Sequence, residues 1–188
     1  MKIEKTDIPD LYIVEPLVFK DERGYFFESY SQKKLKEAGL NQTFVQDNES
    51  KSQKGVLRGL HFQKSPFAQG KLVRVIKGRV LDVAVDIRKG SPAYGHYHAV
   101  EISEENKLMF WIPPGFAHGF VTLEDETVFF YKCTNYYNKE AEGNILWNDT
   151  DLNIDWGIQN PILSEKDQNA PAFADFDTPF IYENPLES

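Results

Sequence analysis

Four histidines, His61, His96, His98 and His118, are the side chains of this sequence best suited to proton transfer or metal ligation near neutral pH. His96-Tyr97-His98 spaces two imidazoles so that a strand projects both from one face, as a metal site needs. Strict alternation sends Glu101 to the other face, and two surface histidines on a strand edge are the commoner meaning of such a pair. His61 lies in Gly55-Val56-Leu57-Arg58-Gly59-Leu60-His61-Phe62-Gln63, followed by Gln69-Gly70-Lys71. His118 lies in Pro113-Pro114-Gly115-Phe116-Ala117-His118-Gly119-Phe120. An imidazole, with an unperturbed pKa of about 6.5, suits proton abstraction near neutrality, and His61 has two cationic companions nearby in the sequence, Arg58 and Lys71.

The elements that must position these groups read mainly as strands. Runs rich in Val, Ile, Phe and Tyr, bounded by Gly, Pro, Asn or Asp, occur at 11–19, 24–30, 43–48, 72–76, 79–87, 96–102, 108–112 and 127–134. In 79–87, Leu81, Val83, Val85 and Ile87 form an apolar face, against Val80, Asp82, Ala84 and Asp86 on the other. One helix is predicted over 33–38, capped by Ser31 and ended by Gly39, and a shorter one begins at Ser164. Many short strands without interleaved helices predict an all-β antiparallel sandwich or barrel, with a jelly roll suited to the length. The tail after Trp156, with Pro161, Pro171, Pro179 and Pro185, is expected to be irregular and to wrap the barrel or a partner subunit.

The 188 residues, 41% hydrophobic and 14% aromatic, suffice for one domain over 1–188 with its own core. A net charge of −8 disfavours general nucleic-acid binding, although local cations can still hold a small anion. The single cysteine, Cys133, and the charged start Met1-Lys2-Ile3-Glu4-Lys5 fit a cytoplasmic protein. No run approaches the roughly 20 apolar residues of a membrane helix, so no membrane partner is expected.

The His61 and His118 segments resemble the two signature motifs of the cupin superfamily. Gly55-x5-His61-x-Gln63 and Lys71-x6-Gly78 fall in step with the first motif, and Pro113, Gly115 and His118 with the second. Metal-binding cupins supply three histidines and a glutamate there; this chain has Gln63 for one histidine and Lys71 for the glutamate. A protonated lysine has no lone pair and adds charge where a divalent cation would sit, so a metal-free barrel is expected, with Lys71 stabilising a substrate oxyanion.

With more of the chain included, the sequence resembles the dTDP-4-dehydrorhamnose 3,5-epimerases. Arg23-Gly24-Tyr25-Phe26-Phe27-Glu28, Gln46-Asp47-Asn48, Arg58-Gly59-Leu60-His61, Gln69-Gly70-Lys71, the His118 segment, Tyr131 and Ser164-Glu165-Lys166-Asp167 carry the resemblance, over residues 8–177. It implies cofactor-free inversion at the two carbons flanking the C4 ketone of a dTDP-4-keto sugar. It also implies His61 as base, Asp167 as its carboxylate partner, Tyr131 as proton donor to the opposite face and Lys71 at O4. From the residues alone, Ser164-x-x-Asp167 reads equally as a helix start, and Tyr131 is one of nine tyrosines. The resemblance assigns the nucleotide-sugar substrate to Arg23, Glu28, Gln46, Asp47, Asn48, Arg58, Lys71, His118, Glu142 and Lys166. Asp82 is expected to line the cavity, and Phe26 and Tyr137 either stack on thymine or pack a subunit contact. Family members are homodimers whose N-terminal segment crosses over, so Arg23 and Glu28 would complete the neighbour's site.

Arg58 and His61 are three residues apart, and an ideal strand would send them to opposite faces, so a bulge is predicted at Gly59. Three rival readings use much of the same chain: a mono-epimerase or ketoisomerase on a related sugar, a metal-dependent cupin oxygenase using His96, His98, Glu101 and His118, and a sugar-binding module without catalysis.

Overall fold

The computed structural model describes residues 1–183, and the Val-, Ile- and Phe-rich runs become strands between turns at Gly, Pro and Asn. Strands β1 (Lys2–Lys5) and β2 (Tyr12–Glu15) precede a hairpin of β3 (Val18–Asp21) and β4 (Gly24–Phe27), then helix α1 (Gln32–Glu37). Eight strands follow: β5 (Gln46–Ser52), β6 (Leu57–Gln63), β7 (Lys71–Lys77), β8 (Arg79–Asp86), β9 (Tyr97–Ser103), β10 (Met109–Ile112), β11 (Phe116–Thr122) and β12 (Thr127–Cys133). A 3-10 turn (Lys139–Ala141), β13 (Glu142–Asn144), helix α2 (Glu165–Gln168) and a second 3-10 turn (Phe173–Asp175) come last.

One sheet runs β1-β2-β10-β7-β12-β5 and the other β13-β6-β11-β8-β9. From β5 to β12 the chain changes sheet at every connection except β8 to β9, which is the winding of a jelly roll. The expected all-β class with a few short helices is therefore what forms. The run 11–19 divides at Pro16, which has no N–H to give a ladder, and 43–48 starts later, at Gln46, and extends through the polar residues to Ser52. Ser31 caps α1, its hydroxyl accepting from the Lys34 N–H at 3.4 Å.

Strand β8 shows how the faces are used. Its even residues Val80 and Ala84 join Val73, Val75, Phe110, Phe116, Phe120 and Phe129 in the core between the sheets. Beyond Arg79 its odd face is apolar and points outward, and Val83 and Val85, with Ile87 just past the strand, pack there with Leu60, Phe62 and Ala117. That outer face is covered by the tail, through Leu152, Trp156, Leu163, Phe173 and Phe180. The tail is irregular, as predicted, and it wraps its own barrel; of its prolines, Pro185 lies outside the described residues. On the opposite side, Leu35 and Leu40 of the α1 segment cover Leu72, Met109 and Trp111 of the other sheet. No helix among the described residues is long and apolar enough to cross a membrane.

The bulge predicted at Gly59 is present. Between β6 and β11, His61 opposes His118 but Arg58 opposes Phe120, so three steps on one strand match two on the other. Leu57, Leu60 and Phe62 thereby face the tail while Arg58 and His61 both face the lumen. Gly59 has φ +142°, and a Cβ there would lie 2.5 Å from the Gly119 Cα. Gly59→Ala is expected to cost about 3 kcal/mol through backbone strain and overpacking, read as a lowered unfolding midpoint at unchanged m-value.

Candidate active site

Two cavities, of about 480 and 280 Å³, open into one lumen and share His61, Lys71 and Tyr131 in their walls. Alternation on β6, β7 and β12 brings these three inward: Phe62, Leu72 and Lys132 beside them face out. His61 comes from the five-stranded sheet, whereas Lys71 and Tyr131 come from the six-stranded one. The Lys71 ammonium stands 5.7 Å from the centre of the Tyr131 ring.

His61 Nε2 and Asp167 Oδ1 are 2.5 Å apart. The second oxygen of the buried Asp167 accepts from the Ser164 hydroxyl at 2.8 Å, and that hydroxyl in turn caps α2 by accepting from the Asp167 N–H at 3.2 Å. The two sequence readings of Asp167, helix start and histidine partner, are thus both realised by one residue. Burial pushes the Asp167 carboxyl up, but the bond and charge of His61, with Ser164 and Lys166, outweigh it and hold the group below its ordinary value.

Deeper in the lumen, the His118 Nε2 lies 3.0 and 3.1 Å from the two oxygens of the buried Asp82. Burial, reinforced by the charges on Lys71 and His61, keeps His118 below the usual imidazole range against the pull of Asp82. Burial likewise raises Asp82 despite His118 and Lys71, so this pair can share one proton with little net charge. The Lys71 ammonium is pushed down by burial, opposed by Cys133, Asp82 and Glu142. Burial raises the Tyr131 phenol, which therefore stays protonated at neutral pH. A half-desolvated ammonium and a protonated phenol beside a carboxylate-held imidazole form an acid–base set around a space large enough for a sugar ring.

Arg58 lines the larger cavity, and Gln46, Asn48, Tyr137 and Glu142 line the smaller. Lys166 is at its edge, bonded to Glu142 at 2.6 Å. Four of the predicted residues lie elsewhere. Asp47, between two inward neighbours, turns out and binds Lys132 Nζ at 2.9 Å, as alternation alone foretells. Arg23 pairs with Asp21, Glu28 with Lys34, and Phe26 is 67% exposed, all on or just after the β3–β4 hairpin and away from this chain's lumen. The residues of the oxygenase reading do not converge: His96 is exposed ahead of β9, His98 bonds Asp7 at 2.8 Å, and Glu101 bonds Arg79 at 3.0 Å. Among the described residues, no three His, Cys, Asp or Glu side chains are grouped to hold a metal ion. Sequence reasoning missed Gln63 as a structural donor, since its only signal was its place in the first motif.

A jelly roll whose lumen carries a His–carboxylate pair facing a lysine and a tyrosine defines a cupin-type barrel equipped for proton transfer. A family model described as dTDP-4-dehydrorhamnose 3,5-epimerase matches residues 5–175, and the chain belongs to this family. The dTDP-4-dehydrorhamnose 3,5-epimerase of Shigella flexneri is 58% identical over 178 residues, which span 94% of this chain and 98% of that protein. The crystal structure of the Elizabethkingia anophelis dTDP-4-dehydrorhamnose 3,5-epimerase is similar with a TM-score of 0.88 at 60% identity, covering 93% of this chain and 97% of that one. The Legionella pneumophila dTDP-6-deoxy-D-glucose-3,5-epimerase, solved with dTDP-4-keto-L-rhamnose, gives a TM-score of 0.92 at 49% identity, covering 97% and 99%.

The sign of the Asp167 shift fixes a pH dependence. A depressed carboxyl stabilises the fold above its unfolded value, near 3.8, and that contribution is lost as pH falls through the folded value. Asp167→Asn is expected to lower stability by about 2 kcal/mol at pH 6, with the gap to the parent chain closing below pH ~4 in denaturant titrations.

Proposed function

We propose that this chain inverts C3 and C5 of dTDP-4-dehydro-6-deoxy-D-glucose to give dTDP-4-dehydro-L-rhamnose, using its own side chains. The observation that carries the reading is that His61 and Tyr131 enter one lumen from opposite sheets. Facing sheets lie about 10 Å apart, so a pyranose between them presents one face to the imidazole and the other to the phenol. Inversion requires that arrangement: a base on one face and a donor on the other.

Both carbons flank the C4 ketone. When His61 takes the proton from C5 or C3, the C–H electron pair becomes an enolate with its charge on O4. Lys71 is placed to stabilise that oxygen, and the desolvation of its ammonium strengthens the attraction. Asp167 orients the ring and stabilises the imidazolium. Tyr131 delivers its proton to the carbon from the opposite face, and the resulting phenolate and imidazolium return to their starting states through solvent. Arg58 suits the diphosphate, with Gln46, Asn48, Glu142, Lys166 and Tyr137 at the nucleotide end. His118 and Asp82, held to each other, shape the floor of the lumen.

In this reading the chain is a cytoplasmic homodimer. The exposed Phe26, with Arg23 and Glu28, is carried by a hairpin that does not reach its own lumen, which supports its serving the partner's.

Incubation with the dTDP-4-keto sugar in deuterated water, followed by proton NMR of the product, is expected to show label at both C3 and C5. Label at one carbon only sinks the double inversion in favour of a mono-epimerase. His61→Asn is expected to slow turnover at least about 10²-fold. Tyr131→Phe keeps the base and loses the donor, so substrate deuterium exchange is expected to outpace inversion in it.

A further inference from the structure

Residues 135–138 follow β12 across the mouth of the smaller cavity and carry Tyr137, with no strand beside them. Their backbone groups bond instead to amide side chains projecting from the barrel. Gln69 Nε2 donates to the Asn135 carbonyl at 2.8 Å, and Gln46 Oε1 accepts from the Tyr137 N–H at 2.9 Å. Gln63 does more than either. Its Nε2 donates to the carbonyls of Phe67 at 2.7 Å and Tyr136 at 3.1 Å, and its Oε1 accepts from the Asn138 N–H at 2.7 Å. The Gln63 side chain is only 6% exposed, and it grips the chain on both sides of Tyr137.

Asn138 then caps the 3-10 turn, its Oδ1 accepting from Glu140 and Ala141 N–H groups, and the turn delivers Glu142 into β13 opposite Gln63 itself. The Tyr137 ring, by contrast, is 55% exposed, and its hydroxyl makes only a 3.5 Å contact with Glu142. Packing does not fix that ring; the backbone beneath it does. A flat exposed aromatic at a cavity mouth is a stacking platform for a planar heterocycle.

We infer that Gln63 is a positioning residue that sets the affinity for the nucleoside end of the substrate by fixing the Tyr137 segment, and leaves the proton transfers untouched. The inference rests on the nucleotide-sugar reading above. It also accounts for an amide at this place in the first motif: three directed hydrogen bonds to backbone groups need both a donor and an acceptor, which a glutamine combines.

The test measures dTDP binding by calorimetry, together with kcat and KM, for Gln63→Leu, Gln63→Glu, Tyr137→Ala and the Gln63→Leu/Tyr137→Ala double variant. Gln63→Leu is expected to weaken dTDP binding and raise KM about 10-fold, with kcat within about twofold of the parent. Gln63→Glu keeps the acceptor for Asn138 and is expected to show a smaller change in the same direction; it carries the comparison if Gln63→Leu does not fold. In the Tyr137→Ala background, Gln63→Leu is expected to add little. A fully additive effect there, unchanged dTDP binding in both Gln63 variants, or a fall in kcat with dTDP binding intact overturns the inference. Failure of the unsubstituted chain to bind dTDP sinks the nucleotide-sugar reading, and this inference with it.

Discussion

The bond between His61 and Asp167 joins two parts of the molecule 106 residues apart in sequence, the inner face of β6 and the first turn of α2. Nothing local holds them together. Asp167 arrives there because the tail packs Leu152, Trp156 and Leu163 onto the outer face of the five-stranded sheet, and burying side chains of that size stabilises by about 2 kcal/mol each. His61 arrives because the Gly59 bulge turns it inward after Leu57 and before Phe62, both of which face the tail. One sheet therefore supplies, on its outer side, the surface that anchors the carboxylate and, on its inner side, the imidazole that meets it.

The charges inside the barrel are arranged to be few. Asp82 and His118 largely neutralise each other, and burial moves each toward its uncharged form. Lys71 stands in the walls of both cavities, the position at which the proposed mechanism needs a cation for the developing oxyanion. Phe120 and Phe129, stacked at 4.0 Å, flank the His118 imidazole, with ring centres 6.3 and 6.2 Å from its own.

The fold was largely legible because β-branched and aromatic runs between turn residues carry a strong strand signal. The legible strands included β8, whose two faces are plain in its alternation. Strands β6 and β11 were legible only as motifs, since Gly59 and Gly119 interrupt the apolar pattern, and these glycines are there because the two backbones approach closely at the bulge. The site was read mainly through the family resemblance. Composition cannot single out Tyr131 among nine tyrosines, and pairing across 106 residues leaves no local trace. Asp47 was placed in the site by its motif although strand alternation already sent it outward. The grip of Gln63 was invisible because a buried amide bonding backbone has no spacing rule.

The tail has one more consequence, for the order in which the protein comes into being. Synthesis runs from the N-terminus, so every strand of the barrel through β12 leaves the ribosome well before α2 does. A nascent chain at that stage has its imidazole, lysine and phenol but no carboxylate partner for the imidazole, and the outer face of β6, β11, β8 and β9 is still bare. The segment that covers that face also brings the carboxylate, so in the proposed mechanism catalytic competence arrives only with the tail.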